Sequence, residues 1–332
     1  MNIGQSESRS IQTLCSLLGY SRQGLYKAQL NQQQHCYQEE LVVQQVHQFR
    51  KQQKRLGGRK LHFLLVPFMK QHSIDMGRDA LFTLLAQHQL LVRKRRNRKP
   101  VTTNSYHWYK KYKNLIREFI PTAPNQLWVS DITYITLNNS FAYLSLITDA
   151  YSRKIVGFFL SRTLEAKGSI KALQMALHYN PNLKTLIHHS DRGIQYCCND
   201  YVSILSRKRI KISMTENGDP LENAIAERVN GILKDELLQD RYKNFEEAQE
   251  AVAVAVSVYN HLRPHGSISY KMPQEVHFSK EVVEKKWKSY YKNYKMQKYQ
   301  INNNDEKNIS LAMGGYELFF SSIALTLKNN KA

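Results

Sequence analysis

The sequence predicts an α/β protein: a mixed five-stranded sheet covered by helices, preceded by an all-α region. Three observations carry that expectation. Residues 11 to 89 show helical patterns with no strand-like run. Residues 126 to 161 hold three consecutive runs rich in β-branched and aromatic side chains. Beyond them the pattern alternates helix, strand, helix, strand, helix.

From Ile11 to Ala28, "IQTLCSLLGYSRQGLYKA" reads as helix, turn, helix, with Gly19 at the turn and Ser21 as N-cap of the second segment. A helix-turn-helix unit and an ordinary pair of packed helices both fit this pattern. A helical stretch follows from about Glu39 to Gln53, then the Gly-punctuated turn "RLGGRK", then a second helical unit from Lys60 to Gln89. In "RKRRNRK", residues 93 to 99, every position but Asn97 is basic, and Pro100 ends the run. The following "YHWYKKYK" interleaves aromatics with lysines, which suits phosphate contact plus stacking on bases; a solvated linker is the plainer reading. Pro100, Pro121 and Pro124 mark a boundary.

After it come "QLWVSDITYITL" (126–137), "SFAYLSLITDA" (140–150) and "RKIVGFFLS" (153–161), the first pair joined through Asn138 and Asn139 as a hairpin. A helix from about Leu164 to His178, the strand "LKTLIHHS", a helix near Asn199 to Arg207 and the strand "IKISM" complete a sheet of the ribonuclease H style. The expected organisation is a helix-turn-helix-like DNA-binding region over 1–92, a basic linker over 93–123, a catalytic core over 124–275 and a basic, partly disordered tail over 276–332.

Composition narrows the partner. The chain has 332 residues with 48 Lys and Arg against 27 Asp and Glu, a net charge of +21, which suits a polyanion such as nucleic acid. No stretch reaches the ~20 consecutive apolar residues of a membrane span. The N-terminal "MNIGQSESRS" lacks the basic start and apolar region of a secretory signal, so a soluble intracellular protein with no membrane partner is expected. Cys15, Cys36, Cys197 and Cys198 include no C-x-x-C pair and read as reduced thiols.

Three acids stand out. Alternation puts Leu127, Val129, Asp131, Thr133 and Ile135 on one face of the first strand, so Asp131 interrupts an apolar side. Such a carboxylate is costly unless it is paired or metal-bound. Asp191 follows the strand "LIHHS", at the end where open α/β sheets place their sites. It either caps the strand-to-helix turn or holds a metal. In "ENGDPLENAIAERVNGILKDE", Asp219, Pro220 and Glu222 fit an N-cap, a proline at the first helical position and a capping-box glutamate. Leu221, Ile225, Val229 and Ile232 then form the core stripe, and Asn223, Glu227, Asn230 and Lys234 fall on the opposite, solvent-facing side.

Asp131, Asp191 and Glu227, with 35 residues between the last two, resemble the DD(35)E catalytic core of retroviral integrases and bacterial insertion-sequence transposases. The blocks "WVSDITYI", "HHSDRGIQY", "ENAIAERVNGILKDE" and "YNHLRPH" (259–265) are similar, in order and spacing, to transposases encoded by the second reading frame of the insertion-sequence-three family. The resemblance spans about Leu14 to Pro273. It implies a ribonuclease H-like integrase catalytic core, with Asp131, Asp191 and Glu227 as metal-binding acids and Lys234 as the family's basic residue on the last helix. Where the family usually reads G-N-P-x-D-N, this chain has Gly218, Asp219, Pro220, Leu221, Glu222 and Asn223, which preserves polar, cap-competent side chains. The stretch from Phe278 to Ala332 runs beyond the family's usual short tail. Its "KKWKSYYKNYKMQKYQ" suits DNA contact and its Asn-rich continuation suits disorder.

What the resemblance implies is metal-dependent cleavage and strand transfer of an insertion sequence. Two Mg²⁺ ions, with Mn²⁺ as substitute, would be shared by Asp131 and held singly by Asp191 and Glu227. The partner is double-stranded DNA, both element ends and target. Lys234, Arg192, Asn223 and the run Arg93, Lys94, Arg95, Arg96, Arg98 and Lys99 are the candidate DNA contacts. The resemblance also implies a homo-multimer on DNA, dependence on or fusion with the upstream-frame product, and a bacterial cytoplasmic, nucleoid-associated setting. A catalytically silent DNA-binding regulator and a nuclease that cuts without joining are the rival readings.

Overall fold

The computed structural model describes residues 11–92, 107–181, 183–216, 220–279 and 281–282. The basic run at 93–99, Asp219 with its expected cap, and the tail past residue 282 lie outside the described residues.

Helices α1 (Ile11–Leu17) and α2 (Arg22–Gln52) open the chain. Gly19 sits in the left-handed region at φ 72° between them, and the Ser21 side chain accepts from Gly24 N at 2.9 Å, capping α2 as expected. The second segment does not stop near Ala28. It runs 31 residues without a break into the stretch expected as a separate helix. Nothing in "QLNQQQHCYQ" breaks a helix, and its lack of an apolar stripe disguised the continuity. Val42 and Val46 of α2 pack with Leu56, with Leu61 and Leu65 of α3 (Gly58–Gln71), and with Leu81 and Leu85 of α4 (Arg78–Gln87). This small unit has its own core.

The sheet contains β1 (Leu127–Thr136), β2 (Phe141–Asp149), β3 (Ile155–Ser161), β4 (Ile187–Ser190) and β5 (Lys211–Met214), ordered β3-β2-β1-β4-β5. β1 pairs antiparallel with β2 through the expected hairpin, and β2 with β3 likewise. β1 pairs parallel with β4, and β4 with β5. This is the ribonuclease H-like arrangement, and it puts β1 in the middle.

Helices α5 (Ala166–Tyr179), α6 (Ile194–Cys197) and α7 (Asn199–Arg207) cover one face, burying Trp128, Ile147, Leu173, Tyr201 and Met214. Helices α8 (Ala224–Ile232) and α9 (Phe245–His261) cover the other against Ile135, Leu144 and Leu146; α10 (Pro273–Phe278) follows. Each fully buried large apolar side chain contributes about 1.5–3 kcal/mol, so the two layers clamp β1 from both sides. The helix expected across residues 220 to 236 is in fact three pieces: a 3₁₀ turn at Pro220–Asn223, α8, and a π-turn at Leu233–Leu237. Leu238 N reaching Leu233 O at 2.8 Å closes that wide turn.

Part of the stretch expected as a linker lies on the core. Tyr109 and Tyr112 pack beside the α5–α7 layer, and Leu115 N donates to Ser213 Oγ at 2.9 Å. Among the described residues no helix is long and apolar enough to cross a membrane.

Candidate active site

The parallel pairing of β1 with β4 sets Val129 beside His189. Carrying that register two residues further puts Asp191, just past the end of β4, beside Asp131 in the middle of β1, so two acids sixty positions apart in sequence meet across adjacent strands. Both line a single pocket with Ile132, Tyr134, Gln195 and Tyr196.

Local structure holds each carboxylate in a fixed pose. Asp131 Oδ1 accepts from Ile132 N at 2.9 Å and Oδ2 from Asn230 Nδ2 at 2.7 Å. Asp191 Oδ1 accepts from Gly193 N at 3.0 Å, an Asx turn that leads into α6. Asp191 therefore caps its turn, as one of the two readings expected, and it also lines the pocket. A Cβ on Gly193 would come within 3.1 Å of Asp191 Oδ1, so the glycine leaves room around the carboxylate.

Electrostatics brings the third acid in. Burial, and then the neighbouring Asp191 charge, push the Asp131 carboxyl up to about 7. The Asn230 and Ile132 hydrogen bonds oppose that shift, and Glu227 adds to it. Glu227 is an exposed residue in the first turn of α8 and stands within electrostatic reach of Asp131.

Of the polar stripe expected to face solvent, Glu227 is exposed while Asn223, Asn230 and Lys234 face β1. Asn223 and Asn230 are each 6% exposed. Asn223 Nδ2 donates to Ser130 O at 3.0 Å, Asn230 donates to Asp131, and Lys234 Nζ donates to Thr133 Oγ1 at 3.1 Å. Periodicity separates two faces of a helix but does not say which one a strand covers, and here α8 is packed on both. Asn223, expected at DNA, is buried with its amide spent on the strand carbonyl. Lys234 lies 4.4 Å from the Tyr134 ring centroid, and burial lowers its pKa. Glu222, expected in a capping box with Asp219, accepts from Glu216 N at 2.5 Å.

Arg192 borders Asp191, and its carbonyl accepts from His107 Nε2 at 2.8 Å. His188 is a packed strand residue. Its Nε2 meets the hydroxyls of Ser130 at 2.7 Å and Tyr201 at 2.9 Å, and burial drives its pKa down to about 3. His189 Nδ1 pairs with Ser213 Oγ at 2.9 Å. The contribution of Asn230 was missed: an asparagine two turns from its helix's start carries no sign of which carboxylate it will meet. The "NAIAERVN" repeat of Asn at a spacing of seven was the available signal.

Two family profiles, both described as integrase core domain, match residues 121–220 and 208–273. An insertion element IS600 31 kDa protein of Shigella sonnei is 33% identical over 269 residues, covering 78% of this chain and 96% of its own. The transposase InsF for insertion sequence IS3A of Escherichia coli is 28% identical over 243 residues, 70% of this chain and 81% of its own. The chain belongs to the insertion-sequence-three family of DDE transposases. Among solved structures, the HTLV-2 integrase catalytic core covers 47% of the transposase and 97% of its own chain at 20% identity and a TM-score of 0.38. The transposase is thus a polynucleotidyl transferase that acts on DNA in the movement of an insertion sequence.

Proposed function

We propose that Asp131, Asp191 and Glu227 are the catalytic acids of this transposase and together hold divalent magnesium. The observation that carries the reading is a buried Asp131 set beside Asp191, where burial first and the Asp191 charge second lift its carboxyl to about 7. Carboxylate oxygens are the donors a hard cation takes, and a cation relieves the repulsion that raises that pKa. The donor set therefore fits. Among the described residues no three His, Cys, Asp or Glu side chains already stand in ligating geometry, which agrees with Glu227 being exposed on α8. When bound, a pair of Mg²⁺ ions activates the attacking oxygen and stabilises the leaving oxygen of an in-line phosphodiester displacement, with Mn²⁺ as substitute.

The chain's own residues do the rest. Asn230 and Ile132 fix both oxygens of Asp131, so its orientation is set in advance. Gly193 aims Asp191. Lys234 and Arg192 bring positive charge to the rim for DNA phosphates, and the run from Arg93 through Arg96 with Arg98 and Lys99 supplies sequence-independent grip on the duplex. The transposase assembles as a homo-multimer across paired element ends and draws on the upstream-frame product, working at the bacterial nucleoid.

The test is a cleavage and strand-transfer assay on duplexes bearing the element's own ends with Mg²⁺, comparing wild type with Glu227→Gln. Metal-dependent cutting and joining that drop by about a hundredfold or more in the variant are expected. Intact DNA binding without wild-type chemistry, even with the upstream-frame product supplied, would overturn the reading.

A further inference from the structure

Outside the residues that line the pocket, just past the C-terminal end of α8, lies a part-buried knot of charge. Arg263, 2% exposed, grips Glu236 through Nε at 2.8 Å and a second nitrogen at 2.9 Å, and Lys60 Nζ reaches both oxygens of the same carboxylate at 2.9 Å. The three residues come from three places. Glu236 sits in the π-turn directly after α8, Arg263 follows α9, and Lys60 belongs to α3 of the N-terminal helical unit.

Charges held this far from water are retained only when each is paired, and here one carboxylate serves two cations. Lys60 bears the larger cost: burial and the Arg263 charge bring its pKa down to about 8 even with Glu236 beside it. A neutral side chain would avoid that cost. Two further contacts seat the same unit on the core, Gln53 Nε2 to Leu262 O at 3.0 Å and the stacked rings of Phe63 and Tyr270 at 5.3 Å. The charge of Arg228, next to Glu227 on α8, is felt at Lys60 and at His265, and Glu236 itself follows α8 directly.

We propose that Lys60 is a positioning residue for the catalytic centre: by holding Glu236 it fixes the π-turn, and through it the setting of Glu227 and Lys234 on β1, whenever the N-terminal unit is seated. The π-turn is the natural place for this, because its wide i to i+5 bond is one helical step that can rewind to α geometry and rotate what precedes it. Recognition by the N-terminal unit is thereby coupled to chemistry in the other half of the fold. The inference rests on the catalytic role proposed for Glu227, but its structural half can be tested apart from activity.

The experiment uses the full chain with Lys60→Met, which keeps the Glu236–Arg263 pair and the length of the side chain, and Lys60→Arg as the conservative variant. Hydrogen exchange is followed over residues 224–237, with the α3 and α4 amides as the control for an intact N-terminal unit. Cleavage and affinity for element-end duplex are measured alongside. Expected for Lys60→Met are faster exchange in 224–237, unchanged duplex affinity and cleavage slowed by about ten- to a hundredfold; Lys60→Arg restores both. Exchange in 224–237 that stays at the wild-type rate in Lys60→Met overturns the proposal. If wild type itself fails to cut, the transposase assignment of the acids falls, while the exchange result still decides whether Lys60 sets the turn.

Discussion

Asn230 on α8 donates to Asp131 on β1 across 2.7 Å, so the helix that carries the third acid also orients the first. Removing that amide leaves the carboxylate without its stronger partner in a buried place. Asn230→Ala is expected to cost about 1–3 kcal/mol of stability and to weaken cleavage by more than its melting shift explains. Thermal melts and Mg²⁺ titrations on the same preparation separate the two effects. Cleavage at the wild-type level would show that Asp131 keeps its pose unaided.

Asp131 is held in its buried place at a cost in stability. Its pKa is raised to about 7, above the ordinary carboxylate value, so its contribution to stability is full below pH 4 and is lost as pH rises through 7. At pH 8 without divalent ions, Asp131→Asn should therefore melt higher than wild type. Added Mg²⁺ should raise the wild-type melting temperature and leave the variant's nearly unchanged.

His188 gives the opposite slope. Its folded pKa of about 3 lies below the unfolded value near 6.5, so the unfolded chain takes up the proton first and stability falls as pH drops below 6.5 toward 3. The slope approaches about 1.4 kcal/mol per pH unit for this one group. Urea unfolding at pH 7, 6 and 5 should show a flatter dependence in His188→Phe, by about one proton, than in wild type.

Two glycines separate close packing from free space. A Cβ on Gly157 would lie 2.3 Å from the Ala172 carbonyl oxygen and 2.8 Å from Ala176 Cβ, where α5 crosses β3. Gly157→Ala should cost about 2–3 kcal/mol or more, since backbone has to move. A Cβ on Gly231, inside α8, meets nothing within 4 Å, and Gly231→Ala should stabilise by about 0.5–1 kcal/mol. Denaturant midpoints of the two variants should move in opposite directions.

Much of this was legible in the residues. β-branched runs gave β1 to β3, two asparagines gave the hairpin, and an aspartate inside an apolar strand marked Asp131. What escaped was long-range partnership. The 31-residue α2 read as two helices because solvent surrounds its first half, leaving no apolar stripe to follow. The Asn223–Asn230–Lys234 stripe was assigned to water because amphipathic spacing cannot register a second packed face. The pairing of Lys60 with Glu236 has no mark in the sequence, since only the tertiary fold brings residues 176 positions apart within hydrogen-bond reach.

The parallel register between β1 and β4 decides which changes of length the gene can absorb. Since Asp191 is placed by pairing and not by its count from Asp131, residues gained or lost between Tyr179 and Ile187 leave the two acids side by side. One residue lost inside "IHHS" would turn Asp191 to the opposite face of the sheet and away from Asp131. In a lineage of copies drifting apart, the loop should record insertions freely while those four residues keep their number.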